Sequence, residues 1–279
     1  IGFIGPRYWI SAVGMYLLLF FLIGLVFLAY DVRARDERER MIEVLDSRPI
    51  SNGEFLLGRC LALVFMSWLP VLLIAFLLQL FGLLSLWNGW TIGDLIEPYS
   101  LMGFLLQTLT SLTVWCVIII LLAMLVRHRL VVALVAVALI GLQFWALFQL
   151  PVYLQPIVSL FPTFEPASDL IPQVFDDGRG IHYVALWMLA AGILTMAIAV
   201  HPRPDGSSTS RRIALGSGLL AVSAALLVYE YQVATAAIAQ RSDWLAAHQQ
   251  YRDAPRVDIV SIAGTVRIDP GRQLFLNLD

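Results

Sequence analysis

The residues able to do chemistry in this 279-residue chain are few and unevenly placed. All eighteen of its basic residues are arginine. Without lysine it can build neither a G-x-x-x-x-G-K-[ST] phosphate loop nor a Schiff base. The two cysteines, Cys60 and Cys116, fall in or beside apolar blocks, which gives no disulfide framework and no cysteine-based zinc site. No H-E-x-x-H is present. A net charge of −2 argues against a nucleic-acid partner, which would call for a basic surface. Ionisable side chains gather instead in one stretch, Asp31–Arg59, DVRARDERERMIEVLDSRPISNGEFLLGR. Their chemistry is ion pairing and partner recognition.

The elements around that stretch are apolar. The chain is 59% hydrophobic and only 14% charged, with a mean hydropathy of +0.81. A soluble domain runs nearer ~45–50% apolar and ~25% charged. The excess sits in blocks of the length that crosses a bilayer core of ~30 Å. Six blocks qualify: Trp9–Tyr30, Cys60–Trp87, Leu101–Val126, Leu130–Leu150, Tyr183–Val200 and Ile213–Tyr231. Tyr and Trp collect near their ends, as in an interfacial belt. The expected fold class is therefore an all-α polytopic membrane protein with six transmembrane helices.

Inside these spans no Asp, Arg or His lies away from the ends. Glu230 and His182 stand at interfaces, where solvation makes them cheap. The polar residues at depth are Gln79, Gln107, Thr108, Thr110, Ser111, Thr113 and Gln143. They are expected to hydrogen-bond between helices, with a polar translocation stripe as the alternative. A proton-coupled carrier or an intramembrane protease needs titratable groups that these spans lack. No catalytic constellation is present, so the chain is not expected to be an enzyme. If it moves a solute, the energy must come from a separate ATPase.

Arginine sets the orientation. Six lie in Asp31–Arg59, two in Arg127–Arg129 and three in His201–Arg212. The alternate connections carry only Arg7 and Arg179, so the arginine-rich ones are expected to be cytoplasmic. The chain begins at Ile1 and stops at Asp279 within a strand-like pattern. An internal fragment is expected, with at least one further span before Ile1.

Within Asp31–Arg59, the first half reads as a short amphipathic helix over Asp36–Asp46. Arg35/Glu39 and Asp36/Arg40 are i,i+4 pairs, and Met41, Val44 and Leu45 share an apolar face. Ser47-Arg48-Pro49 breaks it. Ser51-Asn52-Gly53-Glu54 then forms an S-x-x-E capping box that opens a helix running into the second span. Taken alone, the segment could be a solvated loop lying in the headgroup layer.

Taken whole, it resembles the first cytoplasmic loop of the permeases of ABC type-2 exporters. That loop has an acidic and arginine-rich run, a short apolar helix, a small-Pro-Ile/Leu-Ser turn and a helix ending Leu-Leu-Gly-Lys/Arg. Here these are Arg33–Arg40, Met41–Leu45, Ser47–Ser51 and Glu54–Arg59, with Arg59 where many relatives have lysine. The resemblance implies a coupling helix seated on an ATP-binding cassette subunit, with Glu39, Met41, Glu43, Leu45 and Pro49 facing that subunit. It also implies a second permease subunit, identical or not, and ATP with magnesium held in the partner ATPase. No cofactor or metal is implied in this chain. The location implied is the bacterial inner membrane.

The likeness extends in outline over Trp9–Val200, giving a permease core at 1–200. It includes the proline-studded segment Pro151–Pro172, which in the family forms short re-entrant helices near the outer mouth; an ordinary interfacial loop is the alternative. Beyond the family core come a loop and an extra span (201–232). In that span Ala214/Gly218 and Ala221/Ala225 are small-xxx-small pairs. A helical stretch Val233–Tyr251 follows. Val266 and Ile268, a turn Asp269-Pro270-Gly271-Arg272, then Leu274, Leu276 and Leu278 read as a β-hairpin. Residues 233–279 are thus the expected start of an extracytoplasmic β-domain, an arrangement that resembles permeases fused to a zinc-aminopeptidase-like domain. The competing expectation is a polytopic anchor for an outer domain, with no transport role.

Overall fold

The computed structural model describes residues 6–31, 35, 38–40, 50–89, 95–96, 98–126, 128–161, 179–203, 206, 208–252, 264–269 and 273–278. Seven α-helices and one hairpin are found among them: α1 (Pro6–Ala29), α2 (Asn52–Trp87), α3 (Pro98–Leu125), α4 (Arg129–Gln149), α5 (Gln155–Val158), α6 (Arg179–Ala199), α7 (Thr209–Gln250), β1 (Gly264–Asp269) and β2 (Gln273–Leu278). Five of the helices, α2, α3, α4, α6 and α7, are long and apolar enough to cross a bilayer. The protein is a multi-pass membrane protein. The first expected span falls on α1, which has 24 residues; its described side chains begin at Tyr16.

Helix α3 is the axis of the bundle. In its apolar window 67% of the residues are buried, against 28% or less in the other four crossing helices. It is buried nearly all round from Thr108 to Met124, as expected of a helix with neighbours on every side. The surrounding helices each give it one stripe. On α1 this is Leu18, Leu22, Leu25, Val26 and Ala29; on α4 it is Val132, Ala136 and Ile140. On α2 Leu56, Cys60, Val64, Ser67, Val71 and Ala75 recur every three or four residues. Their opposite faces carry exposed Leu, Phe and Val, the pattern of a helix that meets lipid on one side. Helix α7 packs chiefly on α6.

The expected capping box is formed. Ser51 Oγ accepts from the Glu54 backbone N–H at 3.2 Å, and Glu54 Oε2 accepts from the Ser51 backbone N–H at 2.9 Å. These bonds, the backbone one foremost, hold the Glu54 carboxyl below the usual carboxylate range. Glu54 lies ahead of the apolar span that starts at Cys60. Ser51→Ala is expected to cost about 1 kcal/mol of local helix stability. Faster amide hydrogen exchange at residues 52–55, with the rest of α2 unchanged, is the readout.

Helix α7 departs from the expected organisation. A span ending at Tyr231 and a separate helix from Val233 were expected. Instead one 42-residue helix runs from Thr209 to Gln250, through the boundary placed at 232/233. Nothing in Tyr231–Gln250 would interrupt it: the stretch has no Gly or Pro and six alanines.

The β-hairpin is antiparallel, with Val266 opposite Leu276, Ile268 opposite Leu274 and Gly264 opposite Leu278. The register puts the alternating apolar residues on one face, as the period-2 pattern requires. Asp269 faces Gln273, which leaves three residues for the turn.

Candidate functional site

The three arginine-bearing connections meet at one end of the bundle. Asp31, just past the C-terminus of α1, is the joint on one side. Its residue is only 7% exposed. Its Oδ2 lies 3.5 Å from Arg38 Nη2, and its Oδ1 lies 4.0 Å from Arg129 Nη1 on the first residue of α4. A carboxylate at a helix C-terminus faces the negative end of the macrodipole, so the two guanidinium groups are what make the position tenable. Asp31 had no signal in the sequence beyond its place at a span boundary.

A helical turn follows, with Arg35 N–H donating to Asp31 O and Glu39 N–H to Arg35 O, each at 2.8 Å. Arg40 then takes φ 51°, the left-handed conformation that ends helices. The helix expected over Asp36–Asp46 therefore does not run unbroken through Arg40. Of the residues expected to face a partner, Glu39 is exposed; Met41, Glu43, Leu45 and Pro49 lie outside the described residues.

Where the segment re-enters the bundle it is tied again. Asn52 Nδ2 donates to Arg203 O at 2.7 Å, and Arg203 Nη1 donates to Ile50 O at 2.9 Å. His201 meets the Phe55 ring edge-on at 6.2 Å, and the Arg59 guanidinium sits 4.6 Å from the centroid of the same ring. The first two turns of α2 and the α6–α7 connection are thereby one unit. Residues 50–59 and 201–203 are about 150 positions apart in sequence, and no local pattern announces the pairing.

The far end shows how the Pro151–Pro172 segment begins. Gln143, on α4, donates from Nε2 to Val158 O at 2.8 Å. Ser159 Oγ donates to Phe161 O at 2.8 Å and accepts from Phe161 N–H at 3.1 Å. The turn so closed puts Phe161, 6% exposed, against Trp115 of α3 in a stacked contact at 5.7 Å. Phe144 of α4 closes the other side edge-on at 6.4 Å. Phe144 lies five residues inside the α4 terminus, about 7–8 Å of helix. The chain thus leaves α4 and folds back toward the bundle centre through Phe161. Residues 150–161 fold back onto the bundle, and residues 162–172 lie outside the described residues.

Other depth-polar residues have local uses. Thr108, Thr110 and Thr113 donate to carbonyls four residues earlier in α3, at 2.7–2.9 Å, and so satisfy themselves within their helix rather than between helices. Gln79 pairs with both the N–H and the carbonyl of Ile96, holding that loop residue against α2. Neither arrangement lays a polar path through the bundle.

His182 and Glu230, both expected at interfaces, face each other. Nδ1 and Oε2 are 3.1 Å apart, with the two side chains 17% and 11% exposed. His182 Nε2 lies 3.4 Å from Ser159 O, so α6, α7 and the re-entrant turn meet there. Among the described residues no group of three or more His, Cys, Asp or Glu could hold a metal ion. No family model, no curated protein and no solved structure matches the chain.

Proposed function

We propose that this chain is the permease subunit of an ATP-driven exporter of the ABC type-2 class. It would work beside a second permease subunit and ATP-binding cassette subunits that hold ATP and magnesium. The arginine-rich end would face the cytoplasm of a bacterial inner membrane, by the positive-inside bias. The observation that carries this reading is the double anchoring of residues 31–59. Their entrance is tied through Asp31 to Arg129, and their exit through Asn52 and Arg203 to the α6–α7 connection. A force on this loop would reach α1, α2, α4, α6 and α7 together. A solvated loop has no need of such ties.

A membrane anchor for an outer domain is the second reading, and the length of α7 beyond the bilayer favours it. The anchor gives no use to the re-entrant turn or to the tied loop. A mild-detergent pull-down of the full-length protein from its native membrane, with mass spectrometry, separates the two. A stoichiometric P-loop ATPase is expected, reduced at least tenfold by Leu45→Asp or Glu43→Arg while the spans stay folded. Recovery without any ATPase would leave the anchor. Unchanged ATPase recovery with both variants would remove the coupling role from 41–45.

A further inference from the structure

Helix α7 carries one stripe of fasteners at seven-residue spacing, Gly216, Ser223 and Glu230, and each closes on α6. Gly216 lies against Gly192: a Cβ on Gly192 would come within 2.8 Å of Leu220 Cγ and 3.2 Å of Gly216 O. Ser223 Oγ donates to Ala185 O at 2.8 Å. Glu230 meets His182 at 3.1 Å. Seven residues is close to two helical turns, so the stripe stays on the side of α7 that faces His182–Gly192 of α6. The two helices are held in the middle, at Gly192, and toward the far end, at Ala185 and His182. The connection below them is in turn clamped to α2 through Asn52, Arg203 and Phe55.

Helix α7 does not stop where α6 does. Gln250 lies twenty residues past Glu230, about 30 Å of further helix. That extension is unbroken and exposed from Ile238 on, and Tyr251 N–H closes it on Ala247 O at 3.2 Å. A tether for an outer domain needs no such stiffness.

We propose that the α6–α7 hairpin is a lever, which carries movement from the arginine-rich end across the bilayer to the β-structured segment beyond Gln250. This rests on the exporter reading for the source of the movement. Force on the 31–59 loop enters at Asn52 and Arg203, passes up the fastened pair and leaves through the extension. With α7 about 63 Å long, a tilt of about 5° about its lower end moves its tip by about 5 Å. The outer domain would then be driven by ATP as well as anchored.

The test uses the full chain with its co-purified partners in nanodiscs and pulsed electron–electron spin distances, with Mg-ATP and orthovanadate as the probe. One label pair, at Val152→Cys and Ser242→Cys, reads the extension against the bundle. A second, at Leu130→Cys and Ile213→Cys, reads the arginine-rich end. Both pairs are expected to shift by several ångströms on trapping. Three glycines inserted between Gln232 and Val233 should abolish the first shift and spare the second. Three alanines at the same place, which keep the helix, should spare both. A shift confined to the second pair, or a first shift that survives the glycines, overturns the lever and leaves the exporter reading intact. No shift in either pair overturns both.

Discussion

Phe161→Ala is expected to release the re-entrant turn from the bundle. The ring is 6% exposed, stacked on Trp115 at 5.7 Å and closed edge-on by Phe144 at 6.4 Å. Within a bilayer, lipid tails are as apolar as the core, so the transfer part of the usual Phe→Ala cost largely drops out. What remains is lost dispersion contact and the cavity, on the order of 2–3 kcal/mol. The loss should appear as a drop of several degrees in the detergent melting midpoint and as new labelling of Ile157→Cys by an impermeant maleimide. Phe161→Leu keeps most of the volume and gives up the stacking, so an intermediate shift is expected. A melting midpoint unchanged by Phe161→Ala would mean that the turn does not depend on this contact.

Gly192→Leu should part α6 from α7. Its Cβ would be 2.8 and 2.9 Å from two carbons of Leu220, and 3.2 Å from a backbone carbonyl that cannot yield without moving α7. Overpacking at a close helix crossing costs about 2–3 kcal/mol for the larger side chain and about 1 kcal/mol for Gly192→Ala. The alanine variant should be rescued by Leu220→Ala, since that removes the two nearest atoms; a double-mutant cycle measures the coupling. Gly218→Leu is the contrast. A Cβ there meets nothing within 4 Å, so stability should hold within about 0.5 kcal/mol. Equal losses at 192 and 218 would show that the crossing is not where α6 and α7 are held.

That contrast also shows how far local pattern reaches. Ala214/Gly218 has the right spacing for a close helix contact, yet the contact is made by Gly216 with Gly192. Spacing within one helix defines a small-residue stripe, but which stripe meets a neighbour depends on where that neighbour stands. The threonines of α3 show the same limit from another side. Their hydroxyls reach the carbonyl four residues back as readily as a partner helix, and only the packing around Thr108 and Thr110 decides between the two.

The sequence by itself determined the elements whose physics is local. Apolar blocks of bilayer length became helices, because no other structure satisfies the backbone there. Ser51 and Glu54 made the capping box, and the alternation of Val266, Ile268, Leu274 and Leu276 made one apolar face of a hairpin. The tertiary structure alone decided that Asp31 bridges to Arg129, that Asn52 donates to the Arg203 carbonyl and Arg203 to that of Ile50, that Phe161 turns back onto Trp115 and that His182 faces Glu230. Each of these joins separate segments, and in half of them one partner is a backbone carbonyl or an aromatic ring that any sequence offers. Pairing of that kind leaves no period and no motif. It is settled by which helices are neighbours and at what height, and that follows from packing the whole bundle around α3.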